Sequence, residues 1–147
     1  MKITKSFAIA SVVIAFFAYA AAAQDTQSQS ASKTAKFEAI AKTDASIKSS
    51  LDAHDLKPAA GLVGKSGSFT GTVTKIFTPK TGSIVILNFD RDYKTALTAV
   101  VKRSDWSKFP DLAKLEGKQI VVSGKFVDFH GATEIDLTAP DQIKIVE

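Results

Sequence analysis

The chain has 147 residues, 45% of them hydrophobic and 23% charged, enough for one domain with extensions. It contains no cysteine, which excludes disulfides, thiol nucleophiles, zinc–cysteine sites and lipid attachment through cysteine. The formal net charge is +4, a weak pull toward polyanions rather than a strong one.

The first residues have the pattern of an export signal. Lys2 and Lys5 precede an apolar run from Phe7 to Tyr19, and Ala21-Ala22-Ala23 offers small residues for cleavage. The run is short of the ~20 residues that span a bilayer. The expectation is a signal peptide over 1–23, a periplasmic or secreted protein, and no stable membrane insertion after cleavage; a retained anchor is the alternative. Loss of Lys2 and Lys5 leaves 17 basic against 15 acidic residues, so the mature charge is only +2.

Residues 24–32 (QDTQSQSAS) are polar and low in complexity, and predict a disordered leader. Over 33–57, Phe37, Ile40, Ala41, Ile47 and Leu51 recur at helical spacing, interrupted by Asp44 and ended by Lys57-Pro58. This predicts an N-terminal accessory helix that packs on the domain or docks a protein partner. Five basic and five acidic residues over 24–64 speak against a membrane-surface helix.

Strand signals then follow one another. Ser68 to Thr78 alternates apolar residues with Thr, and Gly71 marks a candidate bulge. Pro79 to Gly82 is a turn. Ser83 to Phe89 reads as a strand buried on both faces, Asp90 to Tyr93 as a polar loop, and Thr95 to Arg103 as a third strand. Ser104-Asp105 offers an N-cap for a short helix from Trp106 to Leu115, which Pro110 should break and Gly117 should stop. A long fourth strand, Lys118 to Phe129, has Gly124 at its centre, where a bend or bulge is expected. A tight turn at His130-Gly131 leads to a fifth strand with Ile135 and Leu137 on one side and Glu134 and Asp136 on the other. Gln142 to Val146 is a last extended piece.

Five strands with a helix between the third and fourth is the wiring of the OB barrel, and an SH3-like barrel lacks that helix. The predicted class is therefore all-β with accessory helices: a five-stranded OB-fold Greek-key barrel over 66–147, preceded by the N-terminal helix. The residues that carry this pattern are Gly71-x-Val73, Gly82-x-Ile84-x-Ile86, Trp106, Leu115-x-Gly117-Lys118-x-Ile120-x-Val122-x-Gly124-x-Phe126, Phe129-x-Gly131, Ile135 and Pro140-x-x-Ile143. Over these 82 residues the chain resembles the anticodon-binding-like OB domains found in tRNA synthetases, exonuclease subunits, helicases and small exported bacterial proteins. The resemblance implies an oligonucleotide-binding surface across the second and third strands.

On that surface the sequence offers Lys75, Phe77, Lys80, Arg91, Tyr93, Lys102, Phe129 and His130, with Lys94 and Arg103 nearby. Single-stranded DNA or RNA needs aromatic faces for stacking within a cationic groove, and these residues supply both. Asp90, Asp92, Asp128, Glu134 and Asp136 would weaken phosphate attraction if they share that face. The alternative is an OB module that binds a protein, a small cationic ligand or a cell-envelope component. Trp106 is expected beneath the barrel as a plug.

Catalytic chemistry finds little support. His54 and His130 belong to no metal-binding or nucleophile motif. A metal-dependent nuclease needs clustered carboxylates and arginines, and Arg91 and Arg103 are the only arginines. The expectation is a non-enzymatic binding protein without metal or cofactor.

Overall fold

A computed structural model describes residues 35–147. The predicted signal peptide and the leader lie outside the described residues. The described chain is mostly β with few helices, and its sheet is strongly curled.

The N-terminal part is not the single helix that its spacing predicts. It forms β1 (Glu38–Ile40), α1 (Ala45–Ser49), β2 (Leu51–Asp52) and α2 (Leu56–Ala60). Short polar side chains divide it, because they bind nearby backbone better than they sustain a helix. Asp44 caps α1 by accepting from the Ser46 amide at 2.8 Å. Ser50 donates to the Ser46 carbonyl and shares a 2.8 Å hydrogen bond with Ser68. Pro58 does not end a helix; it sits in the first turn of α2, where a missing N–H costs nothing. Phe37 and Leu51 pack on the main core, and Ile40 and Ile47 on a smaller one. Of the apolar residues that suggested a partner-docking helix, Ile40 is buried, Phe37, Ile47 and Leu51 are half-buried against the chain, and Ala41 is exposed.

The run from Ser66 to Phe77 is two strands, β3 (Ser66–Thr72) and β4 (Lys75–Phe77). The break is a change of neighbour: the Val73 amide donates to the Lys118 carbonyl, and the Thr74 amide donates to the Asn88 carbonyl. Next come β5 (Ile84–Asn88) and β6 (Thr98–Lys102). Where a helix was expected between strands, the chain instead makes two 3-10 helices, Arg103–Lys108 and Leu112–Leu115, on either side of Pro110. Both α-helices lie earlier in the chain. The first 3-10 helix starts before Ser104, so Ser104-Asp105 is not its cap. Trp106 packs against the core, with its indole N–H donating to the Val101 carbonyl.

The last part holds β7 (Gln119–Phe129), β8 (Ala132–Leu137) and β9 (Ile143–Val146). The sheet thus has nine strands rather than five. Four of the extra pieces, β1, β2, β4 and β9, have two to four residues each. Pairing runs β4–β5–β6–β8–β7–β3, with β6 and β8 parallel and the other pairs antiparallel. Since β4 continues the run that contains β3, the sheet curls back toward its start. β9 pairs with β7 on the other side of Ile120 to Val122, and β1 extends β9.

Gly124 makes no bulge, its register with β3 being regular, and is needed instead for close approach. A Cβ there would lie 2.7 Å from Ile135 Cγ2 and 2.8 Å from Gln142 Nε2. Gln142 fixes the same corner, donating to the Ser123 carbonyl while its side-chain oxygen accepts from the Thr138 and Ala139 amides. Gly71 is likewise needed for close approach, to Ala53 and Phe89, and not for a bulge. The enclosed core is wholly apolar among the described residues, with Phe69 edge-on to Phe89 at 4.9 Å and beside Phe126 at 6.5 Å.

Candidate functional site

Strand alternation sets the site. Val85, Leu87, Ala99, Val101, Ile135 and Leu137 point into the core, so their neighbours point out. Ser83 to Phe89 is therefore not equally buried on both faces: Ile84, Ile86 and Asn88 form part of an outward surface and are half-buried. The register places these outward residues in rows across the strands. One row is Phe77, Ile86, Val100 and Asp136; the next is Lys75, Asn88, Thr98, Glu134 and Val127. Together they floor a groove of about 1320 Å³.

Three further pieces line it. The loop after β5 contributes Asp90, Arg91, Tyr93 and Lys94; the β7–β8 hairpin contributes Asp128, Phe129, His130 and Gly131; α2 contributes Leu56, Lys57 and Ala60. His130 has φ 54° and Gly131 φ 86°, the twisted two-residue turn that matches the twist of paired strands. Asp128 accepts from the Gly131 amide and steadies this turn.

Seven of the eight residues expected at a binding surface come together here: Lys75, Phe77, Arg91, Tyr93, Lys102, Phe129 and His130. Lys80 does not; it is in the β4–β5 turn outside the groove lining. Arg103 is also elsewhere, over the Trp106 ring and donating to the Gly82 carbonyl. Phe77, Tyr93 and Phe129 are 45%, 61% and 55% exposed, and they are three of the four large hydrophobic residues exposed among the described residues. Phe129 meets the His130 ring edge-on at 4.5 Å.

The groove's charges are partitioned. Asp136 is taken by Lys102 at 2.6 Å, and that contact raises the Lys102 pKa. Asp90 accepts from the Asp92 amide and from His54, which hold its carboxyl below the ordinary range. Asp128 is used by the hairpin. Lys57, Lys75, Arg91 and Lys94 make no ion pair among the described residues. Glu134 is half-buried, and desolvation first and Asp136 second push its pKa up.

One rim of the groove is tied to the N-terminal segment. His54 Nδ1 is 2.8 Å from Asp52 Oδ1, and its Nε2 is 3.1 Å from Asp90 Oδ2. Asp52 and then Asp90 raise the His54 pKa. His54 thus joins β2 to the loop that carries Arg91, Tyr93 and Lys94.

Sequence reasoning missed Lys57, Asn88 and Thr98. Lys57 was assigned to a helix that does not form, and Asn88 to a strand without an outward face. The polar residue two places after Ile86 was the available signal.

No protein-family model and no curated protein matches the chain. Solved structures similar to it include OBody AM1L10 bound to hen egg-white lysozyme, at 23% identity and a TM-score of 0.42, covering 62% of this chain and 86% of that one. OBody AM3L09 bound to the same lysozyme is similar at 23% identity and a TM-score of 0.40, covering 58% and 84%. OBody AM2EP06, also bound to lysozyme, has 20% identity and a TM-score of 0.39 over 76% and 94%.

Proposed function

We propose that the chain is an exported, non-enzymatic OB-fold module that binds single-stranded nucleic acid in the groove over β4, β5, β6 and β8. In this reading β3 with β4, then β5, β6, β7 and β8 are the five staves of the barrel, and β1, β2 and β9 are additions. The parallel β6–β8 pair and the return of the pairing to the β3–β4 run support that wiring.

The observation that carries the ligand is the composition of one concave face. Three exposed aromatic rings share it with four unpaired cations, while three of its four carboxylates are held by groups of the protein. Aromatic faces accept bases at about 1–3 kcal/mol per base, and the cations accept phosphates. The held carboxylates keep their charge and only Asp136 is paired with a cation, Lys102, so five cations line the groove against four carboxylates and leave it a small positive excess. A small cationic ligand would meet that positive excess, which disfavours it.

The test is fluorescence anisotropy of labelled single-stranded DNA and RNA with the full chain across a salt series. Four phosphate contacts predict a slope of about −3 in log affinity against log salt, from roughly −0.7 per contact. No binding at low salt would refute the ligand and return the groove to a protein or envelope partner. The export part is tested separately, by locating the expressed chain in cell fractions.

A further inference from the structure

The floor carries hydrogen-bonding groups that the fold does not use. Asn88, Thr98 and Glu134 stand side by side on adjacent strands, about 4.8 Å apart. The backbone oxygen of Asn88 accepts from Thr74, but its side-chain amide has no partner among the described residues. The Glu134 carboxylate has one long contact, 3.5 Å from Thr98 Oγ1. A carboxylate has about four acceptor sites, so most of its capacity is open. Asp90, Asp128 and Asp136 differ, each having a shorter contact of its own.

Holding such a group half-buried works against folding. Desolvation and the neighbouring Asp136 disfavour its charged form, and the Thr98 contact and Lys102 offset this only in part. A glutamine of the same shape would avoid the cost. The open acceptor sites of Glu134 face the groove.

We infer that Glu134 selects guanine in the bound strand, accepting the base's N1–H and N2–H with its two oxygens, with the Asn88 amide beside it for a base edge. This rests on the single-strand reading of the groove. Guanine presents two adjacent donors on its Watson–Crick edge. Adenine and cytosine present one amino group next to a ring acceptor, and thymine or uracil one N–H between two carbonyls, so each sets a lone pair against the carboxylate. The floor acid and the rim cations then have separate tasks, one for base edges and the other for phosphates.

The experiment uses the full chain and three labelled oligothymidines that carry two guanines, two inosines or neither. Inosine keeps N1–H and lacks the 2-amino group. The expected result is about tenfold tighter binding of the guanine strand than the inosine strand, the scale of one hydrogen bond to a charged group. In Glu134→Gln the guanine-to-inosine ratio should fall to about one, and because the ratio is taken within each protein any change in oligothymidine binding divides out. Equal binding of guanine and inosine strands by the unaltered chain would overturn the inference and leave single-strand binding standing. A guanine preference that persists in Glu134→Gln would also overturn it. Failure to bind any of the three strands would remove the single-strand reading itself.

Discussion

The inward and outward faces of β5, β6 and β8 are built from alternate residues of the same three strands, yet they follow different rules. Inward, Leu87, Ala99, Val101 and Ile135 are fully buried, and no polar side chain is buried anywhere among the described residues. Outward, Ile86, Asn88, Thr98 and Glu134 are half-covered, and apolar rows stand beside polar ones. The inward face is fixed by close packing, where each methylene counts. The outward face retains an unpaired carboxylate, and three exposed rings from β4, the loop after β5 and the end of β7 border it, which packing does not require. The packed core and the groove floor are thus separated by a single residue step along each strand.

That division is broken most severely at β7. Phe126 is fully buried against Phe69, whereas Phe129, three residues on, is exposed in the hairpin. Phe126→Ala is expected to cost about 3–5 kcal/mol of unfolding free energy, seen as a large fall in the urea midpoint. Phe129→Ala should change stability by less than about 1 kcal/mol. A comparable loss in both variants would show that the hairpin ring is structural.

The outward face should lose binding instead. Phe129→Ala and Tyr93→Ala are each expected to weaken single-strand affinity by about 1–3 kcal/mol, measured by anisotropy at fixed salt. Next in size is Arg91→Ala, which should remove about 0.7 from the magnitude of the salt slope while lowering affinity alike for all sequences. An unchanged slope would take Arg91 out of the phosphate path.

The smallest effect concerns the tie between β2 and the groove rim. His54 has its pKa raised in the folded chain, from an ordinary value of 6.5. Its contribution to stability is therefore complete below pH 6.5 and is lost as pH rises through the higher folded value. The side chain is exposed, so solvent screening keeps the effect small. His54→Gln should flatten the pH dependence of stability over that window and loosen the Arg91–Lys94 loop, read as faster amide exchange. Unchanged exchange in the loop would mean that His54 does not restrain it.

Local signals in the sequence predict local structure well. The His130-Gly131 turn, the broken segment at Pro110 and the stop at Gly117 each depend on residues within a few positions. The short strands do not. β1 and β2, unlike the extended piece expected over Gln142 to Val146, exist because distant residues supply their partners: Glu38 lies opposite Lys144, and Leu51 opposite Phe69. Nothing near Phe37 or Leu51 reveals that, and their spacing imitates a helix. The groove was legible where an aromatic or cation stood at a strand end or loop, as at Phe77, Tyr93 and Arg91. It was not legible at Asn88 and Thr98, whose alignment with Glu134 comes from register between strands, or at Lys80, whose turn leads away.

Amide chemical-shift mapping of the full chain with an oligothymidine at low salt tests the outward face most directly as the binding surface. The account predicts shifts concentrated at Lys75 to Phe77, Arg91 to Lys94 and Phe129 to Ala132, with β1 and β9 silent. Shifts confined to β1, α1 and β9, or none at all at saturating oligonucleotide, would contradict it.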